Sequence, residues 1–486
     1  MLLSLEALIS RKLSTEPAFI EKDKVLRFCD LYSAVAHQVQ ALADAPDVIG
    51  LLAQNSLDWV IADLAITAAG KTFVPLPSFF SLDQIKHIAE DANIGLFLCD
   101  EVHLNSVTAT GRPSRLMTIA NSNEEASFDV VPGGVRIIYT SGTTGQPKGV
   151  QLGEAQLNFT IEALAKAISA TENDRYLSVL PFALLLEELC GLHVPLMVGG
   201  TCIIDSEAAE AVASGRVSAL QESAIAMQPS VMVLVPELLR AWCASLMLSQ
   251  ERAPQSLRVV AVGGAKTPPE VIALAADLGL PAYEGYGLSE CGSVVALNAP
   301  GAVRAGTVGR HLPGLDVKII DGEITVSGPN VMSGYLGKEL HKGRWATGDL
   351  GDIDEDGFLI VHGRKDSVLV NGFGRNVSPE WVEAMMTNDF RIARAVLAHG
   401  QDGLFCALIV PTALGQAFFN KDDYADNLAS LRELCASVPD YAKPDDFICV
   451  GVEEAAAADL FTASGRPRRR DINNFIKLKF TEAINV

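Results

Sequence analysis

Apolar residues fall along this chain in short β-branched runs separated by stretches of helical spacing, and that alternation sets the fold class. Val48 to Ala53 (VIGLLA), Thr72 to Leu76 and Ile94 to Cys99 are short and evenly apolar, so each reads as a buried strand. Asp30 to Leu42, Trp59 to Gly70 and Leu82 to Ala92 carry apolar positions at the spacing of helices. The pattern continues with strands at Val135 to Tyr139, Leu177 to Pro181, Ser230 to Pro236 and Leu257 to Gly263, and a short one from Pro281. Helices are expected at Glu154 to Ile168 and Glu187 to Val198. Strand–helix alternation predicts parallel, doubly wound sheets that bind ligands at the carboxyl ends of their strands.

From Thr307 the chain turns β-rich, with Gly/Pro turns and Asp321-Gly322 as a hairpin signal. Gly363-Arg364-Lys365-Asp366 then reads as a hinge. Beyond it, residues 367–486 form a smaller α/β segment, with strands at Ala395 to Ala398 and Leu404 to Val410 and a helix opened by Ser378-Pro379-Glu380. The division expected is 1–363 and 364–486, hinged near Asp366.

One stretch carries most of the chemistry: VRIIYTSGTTGQPKGVQL, Val135 to Leu152. Its apolar start is a strand, and Ser141 to Lys148 are rich in glycine and hydroxyls. Gly142, Gly145 and Gly149 let backbone approach a ligand, and Ser141, Thr143 and Thr144 add donors. Lys148 supplies a compact cation for phosphate oxygens. Strand, donor-rich loop and helix in that order present N–H groups to a polyphosphate. The pattern is not the common P-loop, because Pro147 precedes Lys148 where glycine is required and Gly149 follows it.

Further candidates sit after later strands. Gly263-Gly264-Ala265 follows one directly, and Tyr283 to Glu290 follows the strand from Pro281. In the latter, glycines admit an adenine, Tyr286 can stack on it, Ser289 can donate to phosphate, and Glu290 offers a hard oxygen to Mg²⁺. Thr347-Gly348-Asp349 supplies an aspartate suited to ribose hydroxyls. Two look-alikes fail: Gly287 to Cys291 lacks the last glycine of a hydrolase elbow, and Asp352 to Gly363 lacks the glutamate that ends a calcium loop. The acidic run there reads as a solvated hairpin turn. His37, His87 and His103 read as surface or core histidines.

Charge narrows the partners. With 38 basic against 59 acidic residues the net charge is −21, so nucleic acid is not an expected partner despite the RPRRR run at 466–470. A chain of 486 residues exceeds one core. Nine cysteines without a CxxC pair point to reduced thiols in the cytoplasm, and neither a leader nor a membrane span is indicated.

YTSGTTGQPKGV closely resembles the phosphate-loop signature of the adenylate-forming superfamily, which includes acyl- and aryl-CoA synthetases, luciferases and peptide-synthetase adenylation domains. The other motifs fall in that family's order over nearly the whole chain. The resemblance implies a large N-terminal domain of doubly wound sheets plus a small distorted β-barrel, with a mobile α+β C-terminal lid. It implies nucleotide contacts from Thr140, Ser141, Gly142, Thr143, Thr144, Gly145, Lys148, Gly264, Ala265, Glu284, Gly285, Tyr286, Gly287, Ser289, Asp349 and Arg364. Magnesium would sit at Glu290 and Thr144, and Lys148, Glu290 and Arg466 would be catalytic.

The implied reaction is activation of a carboxylic acid by ATP with Mg²⁺, then transfer of the acyl group to coenzyme A as the lid turns about Asp366. NGFGRNVSPEWVE at 371–383 and Leu180-Pro181 followed by Glu187 look most like the long-chain fatty acid branch. Two positions depart: Leu184 stands where the family usually has histidine, and Arg466 where TxxGK has lysine. Arginine and lysine differ at a converging site, so a slower adenylation step is expected. The alternatives are a ligase that loads the phosphopantetheine of an acyl carrier protein, and a weakly catalytic nucleotide-binding sensor.

Overall fold

The computed structural model describes the chain outside residues 118–125, 141–146, 215, 342, 371–374, 401–403, 420–423, 463–464 and 485–486. Among the described residues, a nine-stranded sheet and a seven-stranded sheet make up the larger part of the molecule. In the nine-stranded sheet, Arg175–Ser178, Thr201–Ile204, Val231–Leu234, Val259–Val262 and Ala282–Tyr286 run parallel. In the seven-stranded sheet, Val48–Leu52 lies between Thr72–Leu76 and Leu96–Cys99, again parallel. These strands are apolar on both faces because helices cover both, and Trp59 and Trp242 are fully buried beside them.

Asp316–Ile320, Glu323–Ser327, Trp345–Ile353 and Leu359–Arg364 form an antiparallel four-stranded sheet, the β-rich unit expected after Thr307. Asp321 and Gly322 close its first hairpin with φ of 52° and 78°, the primed turn that their dipeptide favours. Asp354 to Gly357 form the turn between Trp345–Ile353 and Leu359–Arg364, with Asp354 and Asp356 paired to Arg304. The C-terminal part carries a three-stranded sheet of Ile392–His399, Phe405–Pro411 and Asp446–Cys449, with its own apolar core.

Three local expectations need correction. The segment after the phosphate loop is a strand, Lys148–Gly153, paired antiparallel to Val135–Thr140, so no helix begins at Lys148. Gly149 belongs to that pairing: a Cβ there would stand 2.8 Å from Ile137 Cγ2. The helix Glu154–Ala167 begins only after the strand. Tyr283 to Tyr286 lie within the strand Ala282–Tyr286 rather than after it. The apolar helix expected at Glu187 to Val198 contains a π-helical stretch, Glu188–His193.

That stretch directs Glu188 and His193 inward, where Arg136 is buried to 3% exposure. The Arg136 guanidinium donates to Glu188, to Asp63 Oδ1 at 2.5 Å and to Thr67 Oγ1 at 3.1 Å. Three residues separate Arg136 from Thr140 on the same strand, so this ionic cluster anchors the strand that presents the loop. A charge buried this deeply is tolerated only with such partners.

Candidate functional site

The hairpin Val135–Gly153 sets one wall of the site. Thr140 and Lys148 are its last cross-strand pair. The expected loop donors Ser141, Gly142, Thr143, Thr144 and Gly145 lie outside the described residues. Lys148 projects so that Nζ stands 5.7 Å from the centroid of the Tyr335 ring. The Tyr335 hydroxyl in turn donates to Glu290 Oε1 at 2.7 Å. Glu290 sits on the tight turn Ser289–Cys291 that follows the strand Ala282–Tyr286, and its carbonyl accepts from Met332 N–H at 2.8 Å. Cation, hydroxyl and carboxylate are thus gathered from three segments.

A second cluster forms where the two sheets meet. Asp349 and Arg364 face each other across the hairpin, with Arg364 Nη1 3.2 Å from Asp349 Oδ1. The Tyr286 hydroxyl donates to Asp349 Oδ2 at 2.5 Å. Burial raises the Asp349 carboxyl above its ordinary range, against the hydrogen bond from Tyr286 and the charge of Arg364. Tyr286 is therefore fixed at its hydroxyl end.

The glycines divide by role. Gly264 adopts φ of 93°, and Gly264 and Ala265 are exposed beside the strand end, open to a ligand. A Cβ on Gly287 would fall 1.7 Å from Ser293 O, so this glycine serves the turn that positions Ser289 and Glu290. Gly285 is close to Leu297 and Ala296 of the neighbouring strand. The Glu284 side chain points beneath the Gly263–Thr267 turn, where Oε1 accepts from Thr267 N–H at 2.8 Å. Burial lifts its carboxyl to about 7. It shapes the turn rather than facing the open side of it.

Arg466 reaches this site from the far end of the chain. Thr462 N–H donates to Arg466 O at 2.8 Å and Arg466 N–H to Thr462 Oγ1 at 3.0 Å, closing a tight turn. Arg466 is exposed as a residue, yet burial around its guanidinium lowers its pKa, and Arg364 nearby adds to that. Glu290 and Asp349 act in the opposite direction, which places Arg466 within the field of both carboxylates. Asp366 lies in the exposed turn Lys365–Ser367 between the four-stranded sheet and the C-terminal part.

Three contributors escape a reading of the sequence. Tyr335 has no motif of its own. His87 comes within 3.2 Å of Pro147 O, at the loop's end, through Nε2. Lys266 donates to Val361 O at 3.1 Å, and burial lowers its pKa against the charges of Glu284 and Glu380.

The residues fit a divalent cation shared with phosphates. Magnesium commonly takes one or two carboxylates and completes its shell with water and phosphate oxygens. Glu290, oriented by Tyr335 beside Lys148, is such a carboxylate. Among the described residues the three-ligand cluster is instead Asp63, Glu188 and His193, and Arg136 already neutralises it.

The chain matches the family described as "AMP-binding enzyme" over residues 11–336. It is 27% identical over 412 residues to the 2-succinylbenzoate–CoA ligase of Bacillus subtilis, covering 79% of this chain and 82% of that one. It is 28% identical over 455 residues to the long-chain-fatty-acid–CoA ligase FadD15 of Mycobacterium bovis, covering 77% and 76%. The structure of the B. subtilis O-succinylbenzoate coenzyme A synthetase, MenE, in complex with ATP and magnesium ion superposes with a TM-score of 0.78 at 25% identity, over 96% of this chain and 98% of that one. This chain belongs to the AMP-binding enzyme family and is an AMP-forming acid–thiol ligase of the adenylate-forming superfamily.

Proposed function

We propose that the protein joins an apolar monocarboxylic acid, of the fatty acid class, to coenzyme A through an acyl-adenylate. The observation that carries this reading is the convergence of Arg466 with Glu290, Asp349 and Arg364, groups drawn from both halves of the chain. In the first step the acid's carboxylate oxygen attacks the α-phosphorus of ATP, and the bond to pyrophosphate breaks. Lys148 and the loop Thr140 to Gly145 hold the phosphates, while Arg466 offsets charge developing between carboxylate and α-phosphate. Asp349 accepts from the ribose hydroxyls, Arg364 orients it, and Tyr286 offers its ring to adenine. Glu290 and Thr144 would hold Mg²⁺, which when bound neutralises phosphate charge. In the second step the thiol sulfur of coenzyme A attacks the acyl carbon and AMP leaves.

The acid's character follows from what lies beside the buried Gly263 and the exposed Gly264. A Cβ on Gly263 would stand 3.5 Å from Leu186 Cδ2, and one on Gly264 3.8 Å from Val235 Cγ1. Leu186 and Val235 are both part-exposed there. Such a lining favours a hydrocarbon chain and gives a second carboxylate no partner. Turning of residues 364–486 about Asp366 would separate the two steps. All nine cysteines are free thiols, which supports a reducing, cytoplasmic setting.

Pyrophosphate release measured over acids of graded length, aromatic acids and dicarboxylic acids, each with and without coenzyme A, tests the reading. Release with fatty acids and consumption of coenzyme A is expected. Preference for an aromatic dicarboxylic acid would overturn the acid class. Release without thioester would favour a carrier-protein acceptor, and no release with any acid would favour a sensor.

A further inference from the structure

The C-terminal part is pinned to the larger part at a point away from the nucleotide site. Arg240 lies on the helix Pro236–Ser249, which covers the nine-stranded sheet. Its Nη2 donates to two backbone carbonyls of the C-terminal part, Asp389 O at 3.1 Å and Ile392 O at 3.0 Å. The guanidinium also stands 5.9 Å from the centroid of the Phe390 ring. Asn388 Nδ2 donates to Glu270 Oε2 at 3.0 Å, so residues 388–392 are gripped from two helices. The gripped segment is a preformed turn: Asp389 Oδ1 accepts from Arg391 N–H at 2.8 Å, and its carbonyl accepts from Ile392 N–H at 3.0 Å.

The grip leads on to the active site. The strand Ile392–His399 carries Arg394, whose guanidinium stacks 4.7 Å from the centroid of the Phe461 ring. Arg394 Nη2 also stands 3.3 Å from where a Cβ on Gly465 would be, directly under the turn that presents Arg466. Contacts therefore run from Arg240 through residues 389–394 to Gly465 and Arg466. The acceptors of Arg240 are carbonyls, which exchange protein donors for water at small net cost, so the grip can release.

We propose that Arg240 is a positioning residue for adenylation: it holds the C-terminal part in the orientation that delivers Arg466 to Glu290 and Asp349. The proposal rests on the two-step ligase reading given above. It differs from that reading in predicting that a residue remote from all substrates governs one half-reaction and spares the other.

The test uses Arg240→Met, which keeps an apolar stem and removes the donors, and Arg240→Lys, which restores a cation. ATP–pyrophosphate exchange with an acid that the wild type uses reports adenylation. Thioester formation from supplied acyl-adenylate reports the second step. Arg240→Met should lose about tenfold or more in exchange, as expected for two charge-assisted hydrogen bonds, with thioester formation unchanged or faster. Arg240→Lys should recover part of the loss. Asn388→Ala, a milder change in the same grip, should shift the same half-reaction by a smaller factor and guards against a folding defect in the arginine variants. Exchange within twofold of wild type in Arg240→Met, or an equal fall in both half-reactions, would overturn the proposal. Absence of both half-reactions in the wild type would instead overturn the ligase reading.

Discussion

Tyr335 and Glu290 are joined by a hydrogen bond of 2.7 Å, hydroxyl to carboxylate, although 44 residues lie between them in sequence. Tyr335 reaches this position because Gly334–Tyr335 pairs with the strand that starts at Lys148. The bond aims the carboxylate expected to meet magnesium, and the same ring stands under Lys148. Tyr335→Phe should therefore raise the magnesium concentration needed for half-maximal rate and cost about fivefold in turnover, roughly 1 kcal/mol. An unchanged magnesium dependence would show that the hydroxyl is structural only.

Lys148→Ala and Glu290→Gln remove the cation and the anionic oxygen of this cluster. Each variant should weaken ATP binding or turnover at least tenfold, about 1.4 kcal/mol. ATP titrations that match the wild type in both would remove the cluster from the nucleotide site.

Glu284 predicts a pH effect on stability. Burial raises its carboxyl from 4.5 to about 7. Between those values the folded chain keeps the proton while the unfolded chain has released it. Stability from this group therefore falls as pH rises from about 4.5 to 7 and is level above that, by on the order of 3 kcal/mol. Glu284→Gln keeps an acceptor for Thr267 N–H and cannot ionise. Its melting temperature should depend less on pH than that of the wild type across this window; parallel curves would contradict the assignment.

How much of this was legible depends on whether the information was local. Val48–Leu52 and Thr72–Leu76 fall where the apolar runs placed them, because a strand buried on both faces has no polar position to confuse the pattern. Asp321-Gly322 likewise carries its turn in two residues. The strand Lys148–Gly153 does not show in the sequence because Gly149 reads as a ligand-approaching glycine in a strand–loop–helix order, and only pairing with Val135–Thr140 reveals its use. Gly287 read as a ligand-facing glycine, but the backbone of Ser293 occupies its Cβ direction. Tyr335, His87 and Arg240 act through partners 45, 60 and 149 positions away, so no local pattern marks them.

Asp366 tests the separation of the two steps. Proline at this position fixes φ and should hinder a turning of residues 364–486. Asp366→Pro is expected to impair one half-reaction more than the other. Equal losses in adenylate and thioester formation would speak against a hinge there.

We propose that Arg466, an arginine in the place of the family's lysine, completes the adenylation site. Its guanidinium remains charged at accessible pH even where desolvation lowers its pKa, and it shares the field of Glu290 and Asp349. The most direct measurement is the adenylation rate of Arg466→Ala, followed by pyrophosphate release, beside thioester formation from supplied acyl-adenylate. Adenylation should fall by about 10² or more with thioester formation barely changed, as for the loss of one preorganised electrostatic contact. Arg466→Lys should match or exceed the wild-type rate. Wild-type adenylation in Arg466→Ala would instead make this arginine ordinary surface charge.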